Sequence, residues 1–377
     1  YPLFPNRGFM LDVARKFFTM DYLKQYVKIL SFYKMNEFQI HLNDNGFPQF
    51  FGDDWNRTYA AFRLESERFP GLTAKDGSYS KQEFINLQRM GLEYGVRIIP
   101  EIDIPAHSLA FAHYKPEIAS RKYGMDHLDL YKKETYQFID SLLDEYLSGD
   151  NPVFIGDLHI GTDEYNKKEA EQYRYFTDRY LKFVEKYGKN VRMWGGLKWL
   201  PVTPVKAEGV TVNAWSYDWV DPVVSLQDGY KLINTCDTYL YIVPAAGYYR
   251  DFLDHQWIYE KWSPWIMNRK QTLPEGTPGV LGGMFAVWND KCGNGISEQD
   301  VHLRSFPAMQ VLAEKLWKGE NKNVTYEAFA KLCKTTPEAP GINLLGKVPA
   351  ETALTEAGKE LSFNGKEAVS TPLQEVG

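Results

Sequence analysis

The chain holds little cysteine: Cys236, Cys292 and Cys333 in 377 residues, too few and too scattered for a disulfide framework or a thiolate metal site. No apolar run approaches the roughly 20 residues that a membrane-spanning helix needs. Basic blocks are missing as well, and 43 Lys and Arg against 49 Asp and Glu leave a formal net charge of −6, which argues against a nucleic-acid partner. The 29 Gly and 20 Pro are ordinary usage, so collagen-like and low-complexity readings fail, and no internal repeat is visible. The chain opens at Tyr1 with neither Met nor a signal-like apolar stretch, as a mature or trimmed form would. What is abundant is aromatic: 22 Phe, 10 Trp and 25 Tyr, 15% of the chain. That supplies a large core and leaves Trp and Tyr for a binding surface.

The order of periodicities sets the architecture. Residues 19–35 read as a helix, with Thr19 as cap, Asp21 in the first turn, and Met20, Leu23, Val27 and Leu30 at helical spacing. The next segment, 37–42, alternates strictly, as a strand does. Helices then recur at 80–94, 133–148 and 167–187, and strands at 96–102, 154–160, 191–194, 210–214, 231–235 and 280–287. A closing helix runs from Asp300 to Trp317 with Pro307 inside it. With 9–13 as the first strand, eight strands mostly separated by helices predict a (β/α)8 TIM barrel over 1–320. A doubly wound sheet is the runner-up, but residues 7–15 lack its Gly-rich turn. The long insertions 43–79 and 236–279 fit loops on an active-site rim. Residues 321–377 read as a C-terminal helix and strap followed by a polar linker over 350–377.

In a barrel of this kind, chemistry gathers at the carboxyl ends of strands. Those ends carry Asp12 and Arg15, His41 and Asp44, Glu101 and Asp103 followed by His107, Asp163 and Glu164, Trp194, Trp215, Tyr239 or Tyr241, and Trp288 with Asp290. The sharpest element is His159-Ile160-Gly161-Thr162-Asp163-Glu164. Neighbours on a strand face opposite ways, so Asp163 and Glu164 share a pocket only where the strand breaks, and Gly161 permits that break. Two carboxyls forced together raise one another's proton affinity, leaving one able to hold a proton near neutrality. The plainer alternative is a solvated acidic turn capping the 167–187 helix. His41 with Asp44, or His159 with Asp163, also suggests metal ligands. The other strand ends supply Trp and Tyr rather than a third ligand, so no metal is expected. Trp194, Trp215 and Trp288 would form a box whose flat walls suit a sugar ring.

Six stretches carry a family resemblance: 7–15, His41-Leu42-Asn43-Asp44, Glu101-Ile102-Asp103-Ile104-Pro105-Ala106-His107, the 159–164 run, Met193-Trp194, and Ala286-Val287-Trp288-Asn289-Asp290. In these the chain resembles the catalytic domain of glycoside hydrolase family 20, the β-N-acetylhexosaminidases. The resemblance implies substrate-assisted retention with no cofactor. Glu164 would be the general acid and the substrate's 2-acetamido carbonyl the nucleophile, giving an oxazolinium intermediate that Asp163 stabilises. Tyr239 would bond the acetamide oxygen, and Trp194, Trp215 and Trp288 would wall the ring. Arg7 and Asp290 would hold hydroxyls at the non-reducing end, with Asp44 and His107 as a relay to Glu164. The implied partner is a glycan with β-linked N-acetylhexosamine, and the implied location secreted, periplasmic or cell-surface. Trp288-Asn289-Asp290 replaces a Trp-x-Glu common in the family, and Tyr239-Leu240-Tyr241 a Tyr-Leu-Asp. The Asn43-Asp44-Asn45 and Tyr241–Pro244 variants look like the branch containing lacto-N-biosidases, which release a disaccharide; Arg7 favours removal of single GlcNAc or GalNAc units instead. An ordinary retaining glycosidase with a protein nucleophile such as Glu101, and a sugar-binding barrel without catalysis, are also compatible with these residues. The family's usual N-terminal accessory domain is not visible in this sequence.

Overall fold

The computed structural model describes residues 1–198 and 203–347. Its strands in chain order are β1 (Asn6–Asp12), β2 (Glu37–His41), β3 (Asn43–Asn45), β4 (Ala60–Phe62), β5 (Arg97–Ile104), β6 (Leu158–Gly161), β7 (Val191–Met193), β8 (Val210–Ala214), β9 (Lys231–Asn234), β10 (Tyr241–Ile242) and β11 (Val280–Val287). Eight of them pair in parallel in the order β1-β2-β5-β6-β7-β8-β9-β11, and β1 pairs with β11 to close the ring. Closure excludes the open doubly wound sheet and gives the (β/α)8 barrel. Short β3 and β4 form a separate hairpin inside the first long insertion, and β10 adds to β11 at the barrel's carboxyl end.

Helices α1 (Met20–Phe32), α2 (Lys81–Glu93), α3 (Leu109–Tyr114), α4 (Lys133–Leu147), α5 (Ala170–Glu185), α6 (Pro222–Gln227), α7 (Asp237–Leu240), α8 (His255–Glu260), α9 (Glu298–Lys318) and α10 (Tyr326–Thr335) follow. Their starts are written in the sequence. The Thr19 hydroxyl accepts from the Tyr22 N–H, and Ser80/Glu83 and Ser297/Asp300 form reciprocal capping boxes. Pro307 sits inside α9. Four short helices, α3, α6, α7 and α8, escape periodicity because they span two turns or fewer. Between β7 and β8 the described residues hold no helix.

The alternation in β2 has an unusual meaning. Phe38 and Ile40 pack outward, but Glu37, Gln39 and His41 are equally buried. They point into the barrel, where each finds a partner from another strand: Glu37 accepts two bonds from Arg192 (2.9 and 2.7 Å), and the Gln39 amide donates to Glu101 (2.8 Å). A buried charge is tolerated only when paired in this way. The outward Phe9 stacks on Phe38 and Phe285 with centroids 5.5 and 4.6 Å apart, tying the first strand to the last.

The chain divides into two compact units, Tyr1–Thr336 and Pro337–Gly377. The boundary thus falls beyond the expected residue 320. α10 belongs to the first unit, since Phe329 stacks on Tyr259 (4.6 Å) and Gln310 donates to the Cys333 carbonyl. In the second unit the Glu338 carboxylate accepts from the Leu344 amide (2.8 Å); the linker expected over 350–377 lies outside the described residues.

Candidate active site

β6 ends at Gly161 with φ 70°, and Thr162 and Glu164 continue with φ 60° and 50°. Left-handed backbone at non-glycine residues costs on the order of 1–3 kcal/mol each and persists where the surroundings impose it. Here the Thr162 amide donates to the Ile104 carbonyl (3.0 Å), and its own carbonyl accepts from the Tyr173 hydroxyl. A Cβ on Gly161 would lie 1.9 Å from Asp103 Oδ1, so only glycine fits. The twist brings Asp163 and Glu164 to the same mouth of the barrel. Asp163 is 7% exposed, whereas the Glu164 side chain is 47% exposed. The buried member of the pair is therefore the aspartate.

A chain of charge-assisted contacts stands behind the glutamate. Arg15 contacts Asp44 (3.0 Å), Asp44 accepts from His107 Nδ1 (2.9 Å), and His107 Nε2 meets Glu164 Oε2 at 3.0 Å and Asp163 Oδ2 at 3.5 Å. His41 Nε2 bonds the other Asp44 oxygen (2.6 Å). Burial alone would raise the Asp44 carboxyl, but Arg15 and His107 outweigh it and hold it well below the usual range. Burial opposes charge on His107 too, yet Asp44 and Asp163 hold its imidazolium well above the ordinary histidine value. The relay is thus a fixed imidazolium between two acids.

A third carboxyl stands beside the pair. Burial, with Asp163 beside it, pushes Asp103 well above the usual carboxylate range, and neither of its oxygens has a hydrogen-bond partner among the described residues. Asp103, His107 and Asp163 present atoms within 4.8 Å of one another, as do His41, Asp44 and Asp103. Such groups have the spacing to hold a cation, but a protonated Asp103 and an imidazolium make poor ligands. Because Asp103 is neutral, Asp103→Asn should keep activity within about tenfold, the amide N–H replacing the acid proton. The folded-state pKa lies above the unfolded value of about 3.9, so wild-type stability falls as pH climbs from about 4 towards the folded pKa. The difference in Tm, variant minus wild type, should therefore rise with pH above about 4; a flat difference would contradict a neutral Asp103.

The cavity in front of these groups measures about 200 Å³, and its walls include Trp215, Tyr241, Tyr249, Trp288 and Phe47. Tyr241 lies parallel to Trp215 (6.4 Å, 4°) and 5.7 Å from Trp288. At one end Arg15 pairs with Asp290 (3.2 Å), whose other oxygen accepts from the Tyr248 hydroxyl (2.8 Å).

Of the residues singled out in the sequence, the structure brings together Asp44, His107, Asp163, Glu164, Trp215, Trp288 and Asp290. Three lie elsewhere. Arg7 sits near the start of β1, at the opposite end of the barrel, donating to the Lys34 and Phe4 carbonyls (both 2.7 Å) beneath Trp317. The guanidinium at the cavity belongs to Arg15, just past the end of that strand; strand direction, once applied, separates the two. Tyr239 is on α7, stacked on Trp257 at 4.5 Å, and Tyr241 takes its place because β10 pairs with β11 at Ala286 and Val287. Trp194 is 1% exposed; it packs behind Trp288 (5.5 Å) and its indole N–H donates to Glu101 (2.6 Å). Glu101 is buried and saturated by Trp194 and Gln39. With His41 and His159 outweighing its burial, it is held down to about 2, so it offers no accessible nucleophile. Phe47, Tyr248 and Tyr249 carried no signal, since they come from insertions without periodicity.

The profile described as "Glycosyl hydrolase family 20, catalytic domain" matches residues 4–320. Among similar sequences, "Beta-hexosaminidase subunit B2" of Dictyostelium discoideum is 27% identical, covering 88% of this chain and 60% of its own. "Probable beta-hexosaminidase fdl" of Drosophila melanogaster is 26% identical, over 84% of this chain and 51% of its own. The chain thus spans about half to three fifths of the length of these curated relatives. Among solved structures, the β-N-acetylhexosaminidase of Bacteroides fragilis NCTC 9343 aligns with a TM-score of 0.70 and 21% identity, covering 88% of this chain and 70% of that one. At that identity the likeness is one of fold.

Proposed function

Since the chain belongs to glycosyl hydrolase family 20, we propose that it is an exo-β-N-acetylhexosaminidase removing terminal β-linked GlcNAc or GalNAc from glycans, by substrate-assisted retaining hydrolysis. One observation carries the reading: the Asp163–Glu164 pair opens into an aromatic cavity with the His107–Asp44 relay directly behind the glutamate. Glu164 donates its proton to the glycosidic oxygen, then draws one from the incoming water. The acetamide carbonyl attacks the anomeric carbon, and the C–O bond to the leaving group breaks as the oxazolinium ring closes. Buried Asp163 offers a carboxylate to the acetamide N–H and to the charge that develops there; Tyr241 is the hydroxyl placed for the acetamide oxygen. A positioned acid contributes about 10²–10⁴-fold, and a tethered nucleophile adds the effective-molarity advantage.

The size of the cavity supports release of single sugars. About 200 Å³ is below the roughly 300–1,000 Å³ of sites for drug-sized ligands, and Arg15 with Asp290 stands across its end. We place the enzyme in a secreted, periplasmic or cell-surface setting, where glycans are met. The test is hydrolysis of p-nitrophenyl β-GlcNAc with inhibition by a GlcNAc-thiazoline mimic of the intermediate. Turnover of a lacto-N-biose glycoside without turnover of the monosaccharide glycoside would shift the assignment to disaccharide release. Binding of GlcNAc oligomers without hydrolysis of either would remove catalysis from it.

A further inference from the structure

Both partners in the contact behind Glu164 stand on left-handed backbone. His107, just past β5, has φ 54°, and Glu164, just past β6, has φ 50°, yet their side chains meet at 3.0 Å. Two such residues keep a fixed spacing only where the surroundings impose both conformations. Before the acid, Ile104 and Tyr173 do this through their bonds to Thr162. After it, the work falls to one stretch of chain between α3 and α4, residues 119–131. That stretch is stiffened by its own bonds. Ala119 and Leu128 form an antiparallel bridge, and the Ser120 amide donates to the His127 carbonyl (2.8 Å). The Ser120 hydroxyl accepts from the Lys122 and Tyr123 amides (both 3.1 Å).

From this base the stretch holds the chain on both sides of His107. The Leu128 amide donates to the Pro105 carbonyl (2.8 Å), and the Asp126 carbonyl accepts from the Ser108 amide (2.9 Å). It holds the chain beyond Glu164 as well. The Tyr165 hydroxyl donates to the Leu128 carbonyl (2.7 Å), so a single residue takes Pro105 on its amide and Tyr165 on its carbonyl. Tyr165 is buried and packs against the His127 ring (4.8 Å) and Tyr173 (6.4 Å). Further along, Glu169 accepts from Lys122 (3.1 Å), from the Tyr123 hydroxyl (2.7 Å) and from the Tyr131 hydroxyl. Neither Tyr165 nor Glu169 lines the catalytic cavity, so their influence on the reaction passes through Glu164.

Taking Glu164 as the general acid, as proposed above, we infer that residues 119–131 form a clamp that sets its contact with His107, and that Tyr165 is the positioning residue through which the clamp acts. Glu169 is the second anchor. Without the Tyr165 hydroxyl the acid stays in the site but is no longer held where the glycosidic oxygen needs it. A displacement of about 1 Å in such placement costs on the order of 10²-fold in rate.

The experiment measures kcat and KM of Tyr165→Phe and Glu169→Gln on a GlcNAc disaccharide and on p-nitrophenyl β-GlcNAc. Protonation of the leaving group is essential for the first substrate and nearly dispensable for the second. Tyr165→Phe should lower kcat about tenfold or more on the disaccharide and about threefold or less on the nitrophenyl glycoside, with KM on both within about twofold of wild type. Glu169→Gln should move the ratio of the two losses in the same direction. Because both losses are read in one sample, their ratio does not depend on how much of the protein is folded, and a merely structural role leaves it at one. A ratio below about threefold for Tyr165→Phe overturns the inference. Should that variant not fold, Glu169→Gln decides: a ratio above one supports the clamp and a ratio of one refutes it. If the wild type hydrolyses neither substrate, or Glu164→Gln stays fully active, the functional proposal has failed separately. Crystal structures of the wild type and Tyr165→Phe then read the clamp itself: Glu164 withdrawn from His107 in the variant supports it, and an unchanged contact refutes it.

Discussion

Glu164→Gln is expected to lower kcat by about 10²–10⁴-fold on a GlcNAc disaccharide, whose leaving alkoxide needs a proton. The loss should shrink for p-nitrophenyl β-GlcNAc, because a nitrophenolate departs without much help. That graded response separates a general acid from a residue that only shapes the pocket. Gln keeps the size of the side chain and its contact with His107 (3.0 Å in the wild type), so the fold should be intact by Tm. Full activity of the variant on the disaccharide would end the assignment.

Asp163→Asn should be nearly as damaging and different in kind. The carboxylate is buried, and its Oδ1 has no hydrogen-bond partner among the described residues, so its charge is available to the substrate. An amide of the same shape removes that charge where the oxazolinium develops. Removing one preorganised electrostatic contact of this sort costs about 10²–10³ in kcat. The loss should be as large for the nitrophenyl glycoside as for the disaccharide, because the group acts on the nucleophile and not on the leaving group. A variant within twofold of wild type on both substrates would show that Asp163 plays no part in the chemistry. The two substitutions together thus distinguish acid from stabiliser without a structure of a complex.

How much could be read beforehand differs from residue to residue. Thr19, Ser80 and Ser297 announce their helices because capping is a local hydrogen bond between near neighbours. Gly161 announces the break in β6 because backbone handedness is local as well. Arg7 and Arg15 lie on the same short segment and look alike in sequence; only the direction of β1 decides that one faces the site and the other the far end. Tyr239 and Tyr241 are two residues apart, and the choice between them depends on a pairing with β11 some forty positions away. Asp103 was visible as a polar strand end, but its proton depends on burial and on Asp163 just past the neighbouring strand, and no local pattern carries that.

The order of strands and helices, the barrel, the acid pair and the family were determined by the amino-acid sequence alone, because periodicity, caps and short motifs act between residues near in the chain. Which arginine and which tyrosine face the cavity, and which carboxyl keeps a proton, were decided only by tertiary structure. Charge balance and burial are sums over neighbours in space, and those neighbours come from strands and loops as much as 275 positions apart, as Arg15 and Asp290 are.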